Sequence, residues 1–422
     1  MCPSPRSEAA TTRRVVIIGT GHAGVQVAEE LRLAGHAGRI TLVGDEPDLP
    51  YQRPPLSKEH LATSREPLPL RGEQFFVDRD VDLRTGVTAT GIDRRSRTVR
   101  LSDGQEPAYD SLVLACGARN RSLSVPGSDL AGVHTLRTLA DADAVRAAMA
   151  RSRFALVVGA GFIGLEFAAA ARAQSIAVTV VEAAPRPLSR ALSPEMADHI
   201  ADAHRRTGTD LRHGEAVARF VGADGRVSGA VGTSGTRYDA DLVLVGIGVV
   251  PRVELALRAG LTVENGIVVD ENLRTSDPDI YAVGDCASYP DPVTGTRLRL
   301  ESVQNATDQA RHVGAAIVGS GDAPGYAELP WFWSHQGGLK LQIAGVRLPG
   351  DHSHVLGDPA GGRFSVCCYR NDRLVAVESL NRPADHMAAR RLLADGRSPD
   401  PGRLADPGFS LKTFARAPAP AA

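Results

Sequence analysis

Two hexapeptides of one form, Gly19-Thr20-Gly21-His22-Ala23-Gly24 and Gly159-Ala160-Gly161-Phe162-Ile163-Gly164, carry the chemistry most directly readable from this chain. Each follows an apolar, β-branched run, Val15-Val16-Ile17-Ile18 or Leu156-Val157-Val158, and precedes an Ala-rich helical stretch. A second strand then ends in an acid, at about the 20-residue spacing of a dinucleotide fingerprint. In the first copy Ile40-Thr41-Leu42-Val43 leads through Gly44 to Asp45; in the second Val178-Thr179-Val180-Val181 ends at Glu182. The first glycine of such a motif permits the tight turn from strand to helix. The second lets a pyrophosphate approach bare backbone, and the third lets the helix pack closely on the strand. The helix N-terminus presents unpaired N–H groups to the phosphates, and the acid accepts protons from ribose hydroxyls. A lone motif of this kind is weak evidence. Two copies in full context imply electrons passing between two bound dinucleotides.

The elements that must position these residues read as α/β. A length of 422 residues suggests about three domains. The formal net charge of −1 lacks the basic excess of a nucleic-acid binder. No apolar run approaches the ~18 residues of a membrane span; Leu242 to Val250 reads as one buried strand. The first dozen residues have no apolar core and are not a secretory signal, so a cytoplasmic protein is expected. The five cysteines, Cys2, Cys116, Cys286, Cys367 and Cys368, form no C-x-x-C pair and no metal-ligand spacing, so no metal is expected. The adjacent Cys367 and Cys368 read as buried reduced thiols, with a strained vicinal disulfide as the alternative.

Along the chain, a proline-rich loop from Pro47 to Ser57 follows the first unit, and then short strands ending at Tyr109–Gly117. A helix is expected from Ala140 to Ala150 before the second unit, which closes on Tyr238–Gly248. The two closing phrases are alike, so the nucleotide-binding domains read as an internal duplication. Strand-and-turn material returns after Pro251, a helix is expected from about Asn305 to Val318, and the composition shifts after Pro330.

In order along the chain stand Pro50-Tyr51-Gln52-Arg53-Pro54-Pro55-Leu56-Ser57-Lys58, Ala115-Cys116-Gly117, the second fingerprint with Glu166, and Thr275-Ser276-Asp277-Pro278. Val283-Gly284-Asp285, Glu301-Ser302-Val303-Gln304-Asn305-Ala306 and Trp331-Phe332-Trp333-Ser334 follow. With these motifs the chain, from about Arg14 to Leu411, resembles the FAD-dependent, NADH-using ferredoxin reductases of oxygenase systems; apoptosis-inducing factor is a more distant relative. The resemblance implies two Rossmann-like dinucleotide-binding domains of glutathione-reductase type plus a C-terminal α+β domain. The FAD domain would comprise residues 13–118 and 251–328, the NADH domain 119–250, and the C-terminal domain 329–415. Disordered tails are expected at 1–12 and 416–422.

The resemblance further implies that FAD is held by Gly19, Gly21, His22, Ala23, Gly24, Asp45, Arg53, Lys58, Val87, Ala115 and Arg121. Gly284, Asp285, Glu301, Ser302, Val303 and Trp333 would complete that site. NADH would be held by Gly159, Gly161, Phe162, Ile163, Gly164, Glu182, Arg190 and Gly248. A carboxylate facing the ribose favours NADH by repelling a 2′-phosphate, a preference that Arg186 and Arg190 could soften. Lys58 and Glu166 match a pair beside the flavin ring, where an ammonium stabilises the electron-rich reduced ring and the carboxylate holds it in place. Read without the resemblance, Lys58 is a solvated lysine, Asp285 a helix-cap acid and Trp333 core packing. The departures are Cys116 for threonine, Asn120 for proline, and His335 for aspartate.

The implied activity is hydride transfer from NADH to FAD, then single-electron transfer to a small acidic iron–sulfur ferredoxin. That ferredoxin would dock near Arg311 and Trp331 and feed a cytochrome P450 or a ring-hydroxylating dioxygenase. A flavin-dependent NADH oxidase or a peroxide- or disulfide-reducing enzyme is the first alternative, but the loop from Tyr51 to Lys58 holds no thiol. A redox interaction protein like apoptosis-inducing factor is the second; the neutral charge counts against it.

Overall fold

In the computed structural model, residues 12–62, 67–319 and 324–418 are described. Most of the expected tail segments, and Cys2 with them, lie outside the described residues. The chain divides into two compact units. The first takes the described parts of Met1–Gln52, Pro67–Arg119 and Val249–Glu328; the second takes those of Arg53–Glu66, Asn120–Gly248 and Leu329–Ala422.

The first unit is built on a five-stranded parallel sheet in the order Ile280–Ala282, Ser111–Leu114, Val15–Ile18, Ile40–Val43, Val81–Arg84. The strands Val15–Ile18, Ile40–Val43 and Ser111–Leu114 are buried at every position, as expected of a sheet covered on both faces. The fingerprint helix His22–Leu33 buries Ala23, Val27, Ala28 and Leu31, a stripe at helical spacing.

The second unit repeats the plan. Its parallel sheet runs Asp210–His213, Ala177–Glu182, Phe154–Val158, Leu242–Val245, Val133–His134. In both sheets the fingerprint strand sits centrally, between the acid-bearing strand and the closing strand. That shared order matches the duplication expected from the sequence. A separate antiparallel sheet orders Trp331–Gln336, Leu339–Gly345, Arg373–Leu380, Arg363–Arg370 and His352–Asp358. The helix Pro383–Ala394 packs Ala388, Ala389 and Leu392 against Val377 and Leu374 of that sheet. These features are the expected architecture: two Rossmann-like sheets and a C-terminal antiparallel sheet.

Three local expectations change. Leu242 to Val250 is not one strand: it stops at Val245 and restarts as Val249–Pro251. Between them Gly248 takes φ +94, a left-handed conformation that breaks the extended run. The proline-rich loop contains a 3₁₀ turn, Pro54–Ser57, because successive prolines preset φ for it. The helix expected at Asn305 begins at Val303, capped by Ser302. Cys367 and Cys368 are buried free thiols on the strand Arg363–Arg370.

Candidate functional site

In the first unit the three glycines of the fingerprint have three different surroundings. Gly19 has φ +114, and a Cβ there would stand 2.1 Å from the carbonyl oxygen of Ala115. A Cβ on Gly24 would stand 1.8 Å from the Gly19 carbonyl oxygen. Gly21 has nothing within 4 Å of its Cβ position. Turn, packing and open approach are thus separated, as a pyrophosphate cradle requires. His22 and Ala23 open the helix, and no side chain caps it at Gly21.

Asp45 follows the second strand and takes Arg252 on Oδ2 at 2.8 Å. Sequence reasoning missed Arg252. Val87 is half-buried and donates its N–H to the Gly44 carbonyl at 2.9 Å. Asp285 lies in the 3₁₀ turn Gly284–Cys286, and Gly284 donates its N–H to Gln309 Oε1 at 2.7 Å. The Nε2 of the wholly buried Gln309 has no hydrogen-bond partner among the described residues. Arg299, also missed, donates to the Asp285 carbonyl at 3.1 Å and pairs with Glu301 at 2.8 Å. Ser302 accepts the Asn305 N–H at 3.1 Å and starts the helix Val303–Val318, whose positive end carries Val303. The cradle, the acid and this helix terminus fit a flavin dinucleotide.

The second unit repeats the cradle. Gly159 has φ +101, with a Cβ position 2.6 Å from the Gly246 carbonyl oxygen, and that of Gly164 is 2.2 Å from the Gly159 oxygen. Gly161 meets nothing closer than 3.8 Å. Phe162 and Ile163 begin the helix Phe162–Ala173, and the Phe162 ring packs on Phe332 at 4.7 Å between centroids. Glu182 accepts the Ala160 N–H on Oε2 at 2.7 Å and the Ala184 N–H on Oε1 at 2.8 Å, so backbone amides fix its orientation. Arg190 reaches toward Gly248: a Cβ there would lie 3.1 Å from Nη2. Arg121 donates its backbone N–H to the Gly248 carbonyl at 2.9 Å. Arg186 is paired with Asp198 at 3.2 Å.

Lys58 and Glu166, 108 positions apart in sequence, meet within the second unit. Lys58 Nζ donates to Glu166 Oε2 at 2.7 Å and to the Pro54 carbonyl at 3.0 Å. Glu166 sits on the buried face of its helix among Leu165, Phe167 and Ala168, where an unpartnered carboxylate would be costly. It is fully supplied with donors. Ser57 donates to Oε2 and Ser334 to Oε1, each at 2.5 Å. Gln336 Nε2 donates to Ser334 Oγ at 2.8 Å, so the single Ser334 proton goes to Glu166. Gln336 Oε1, which can only accept, takes His204 Nε2 at 3.1 Å, and burial keeps His204 neutral by lowering its pKa. A chain of donors therefore runs from His204 through Gln336 and Ser334 to Glu166. Ser57 and Ser334 stand inside motifs quoted above but were given no role there, and Gln336 and His204 carried no signal that would have singled them out.

Arg53 donates Nη1 to the Arg137 carbonyl at 3.0 Å. Trp333 and Trp331 lie 5.5 Å apart, and Arg390 stands 4.6 Å over the Trp331 ring. In the first unit Arg311 is half-exposed and shared by Asp308 at 2.8 Å and Glu30 at 3.6 Å. Burial pushes the thiols of Cys116, Cys286, Cys367 and Cys368 up, and all four are free. No redox disulfide exists among the described residues. No helix among them is long and apolar enough to cross a membrane.

This geometry agrees with comparisons to known proteins. Rhodocoxin reductase of Rhodococcus erythropolis is 50% identical over 400 residues, covering 94% of this chain and 93% of its own. Putidaredoxin reductase of Pseudomonas putida is 40% identical over 405 residues, covering 94% and 96%. Among solved structures, the ferredoxin reductase for the CYP199A2 system from Rhodopseudomonas palustris superposes with a TM-score of 0.93 at 46% identity, covering 95% of this chain and 99% of that one. The covalent putidaredoxin reductase–putidaredoxin complex gives 0.92 at 39% identity, covering 96% and 99%. The reductase C-terminal family matches residues 331–415. With residues 13–310, which hold both cradles, matching its description, the chain is an oxidoreductase and belongs to the pyridine nucleotide-disulphide oxidoreductase family.

Proposed function

We propose that the chain is an NADH-dependent ferredoxin reductase that carries FAD and supplies electrons to a cytochrome P450 or a ring-hydroxylating dioxygenase. One observation carries this reading most: two pyrophosphate cradles with an open middle glycine, each with its own acid, in a chain half identical to rhodocoxin reductase. FAD, when held by these residues, would supply the conversion between a two-electron hydride donor and a one-electron acceptor.

The side chains bind and tune. Gly21 leaves room for the flavin pyrophosphate, Asp45 takes its ribose, and Asp285 takes the ribityl chain. Gly161 leaves the corresponding room for the nicotinamide dinucleotide. Glu182, with both oxygens oriented by amides, takes the ribose diol and repels a 2′-phosphate, which sets NADH over NADPH. Lys58 offers an ammonium held by Glu166 to offset negative charge on a reduced ring. The electron acceptor is a small acidic iron–sulfur protein, with Arg311 and Trp331 as docking residues. Among the described residues the four cysteines are all free, which suits a reducing, cytoplasmic setting.

Purified protein tests this directly. It should be yellow, oxidise NADH slowly alone, and reduce [2Fe–2S] ferredoxins one electron at a time, with NADPH a poor donor. A colourless protein that cannot be reconstituted with flavin would overturn the reading.

A further inference from the structure

Glu378 is wholly buried in the middle of the strand Arg373–Leu380, in register with Ile343 and Val366 on the neighbouring strands. An apolar residue would serve such a sheet better, since a buried carboxylate costs stability unless it is paired. Burial also pushes its pKa up to about 7. Both of its oxygens are spent on one residue. The Ser193 N–H donates to Oε1 at 2.8 Å, and the Ser193 hydroxyl donates to Oε2 at 2.6 Å.

Ser193 is the N-cap of the helix Pro194–Arg206 and accepts the Met196 N–H at 3.3 Å. Five residues upstream, Leu188 adopts φ +52 and donates its N–H to the Ala160 carbonyl of the second fingerprint at 3.0 Å. The segment from Leu188 to Ser193 is therefore pinned at both ends, one end on the fingerprint and the other on Glu378. Arg190 lies between the pins and extends toward Gly248. Among the described residues Arg190 has no carboxylate partner, whereas Arg186 is taken by Asp198.

We propose that Glu378 is a positioning residue for the nicotinamide dinucleotide, holding Ser193 so that Arg190 reaches the dinucleotide pyrophosphate. This rests on the reading of the second fingerprint as the NADH site. It gives the antiparallel sheet a part in substrate binding through a hydrogen bond and not through contact with the ligand.

The test uses the flavin-loaded enzyme with NADH, and NAD⁺ binding measured by calorimetry as a readout apart from turnover. Glu378→Leu should raise the NADH KM and the NAD⁺ Kd about tenfold, with kcat at saturation falling far less. Glu378→Gln, which keeps an acceptor for the Ser193 N–H and reverses the second bond so that its amide N–H donates to the Ser193 hydroxyl oxygen, should restore binding to within about threefold. Arg190→Gln should weaken binding similarly, and the double variant Glu378→Leu/Arg190→Gln should be no weaker than Arg190→Gln alone. If Glu378→Leu does not fold, Ser193→Ala takes its place with the same expected KM rise. Strictly additive effects, or a lower Tm with unchanged KM and Kd, would overturn the proposal. If Glu182→Ala and Arg190→Gln both left KM unchanged, the assignment of the NADH site itself would fall.

Discussion

Ser334 donates its hydroxyl to Glu166 Oε1 at 2.5 Å, on the carboxylate oxygen opposite the one that takes Lys58. The two contacts load the carboxylate from both sides. Replacing Ser334 by Ala removes the donor from a buried acceptor, which costs about 1–3 kcal/mol. Lys58 then loses its fixed counter-ion. Stopped-flow reduction of Ser334→Ala by NADH should be slower by about tenfold, with the KM for NADH near that of the parent. An unchanged reduction rate would remove this pair from hydride transfer.

The two outer glycine roles and the inner one separate by mutation. Gly24→Ala drives a methyl into the Gly19 carbonyl, so the variant should be recovered unfolded or in traces. Gly21→Ala meets no protein atom and should fold. It should nevertheless lose most of its flavin, because the methyl occupies the space left for a pyrophosphate. The ratio of flavin absorbance to protein measures this. A fully loaded Gly21→Ala protein would contradict the cradle.

Arg311 is half-exposed and already shared by Asp308 and Glu30. Partly exposed pairs of this sort contribute little to stability, so Arg311→Glu should change the folding free energy by no more than about 1 kcal/mol. Its effect should fall on the partner: ferredoxin reduction slower at low ionic strength, with the difference fading as salt screens it. NADH-driven reduction of a small inorganic acceptor serves as the control and should not change.

Two buried groups set opposite pH limits on stability. Burial raises Glu378 from its ordinary 4.5 to about 7, despite Ser193 and Arg347 and with Glu195 adding to the rise. Its contribution is full below pH 4.5 and is lost as pH rises through about 7. Burial beside Arg390 lowers His386 from 6.5 to about 4, so its contribution is full above 6.5 and is lost as pH falls through about 4. Each span corresponds to roughly 3 kcal/mol. Thermal melts of Glu378→Gln should therefore gain on the parent from about pH 5 to about pH 8, and those of His386→Gln from about pH 7 to about pH 4. Parallel curves for variant and parent would refute the assignment.

Much of the fold was legible because glycine roles are local. The runs Val15–Ile18 and Val178–Val181, each bounded by its own glycines or acid, announce parallel strands without knowledge of anything distant. The helix at Val303 was legible to within two residues because Ser302 is a good cap. The surroundings of Glu166 were not. Ser57 and Ser334 stand 109 and 168 positions from it, and a serine in a strand or a turn carries no periodic signal. Arg252 lies 207 positions from Asp45 and was hidden for the same reason. Glu378 drew no notice in the sequence, and only the fold shows that it meets Ser193.

Each of the four described cysteines is free, with burial raising its thiol, Cys286 to about 11 and Cys367 to about 12. Peroxides attack thiolates, and at neutral pH so high a pKa leaves on the order of one thiol in ten thousand ionised. A flavoprotein that leaks electrons to oxygen makes hydrogen peroxide beside itself. These four thiols offer that by-product almost nothing to oxidise, so idle turnover in air should leave them reduced.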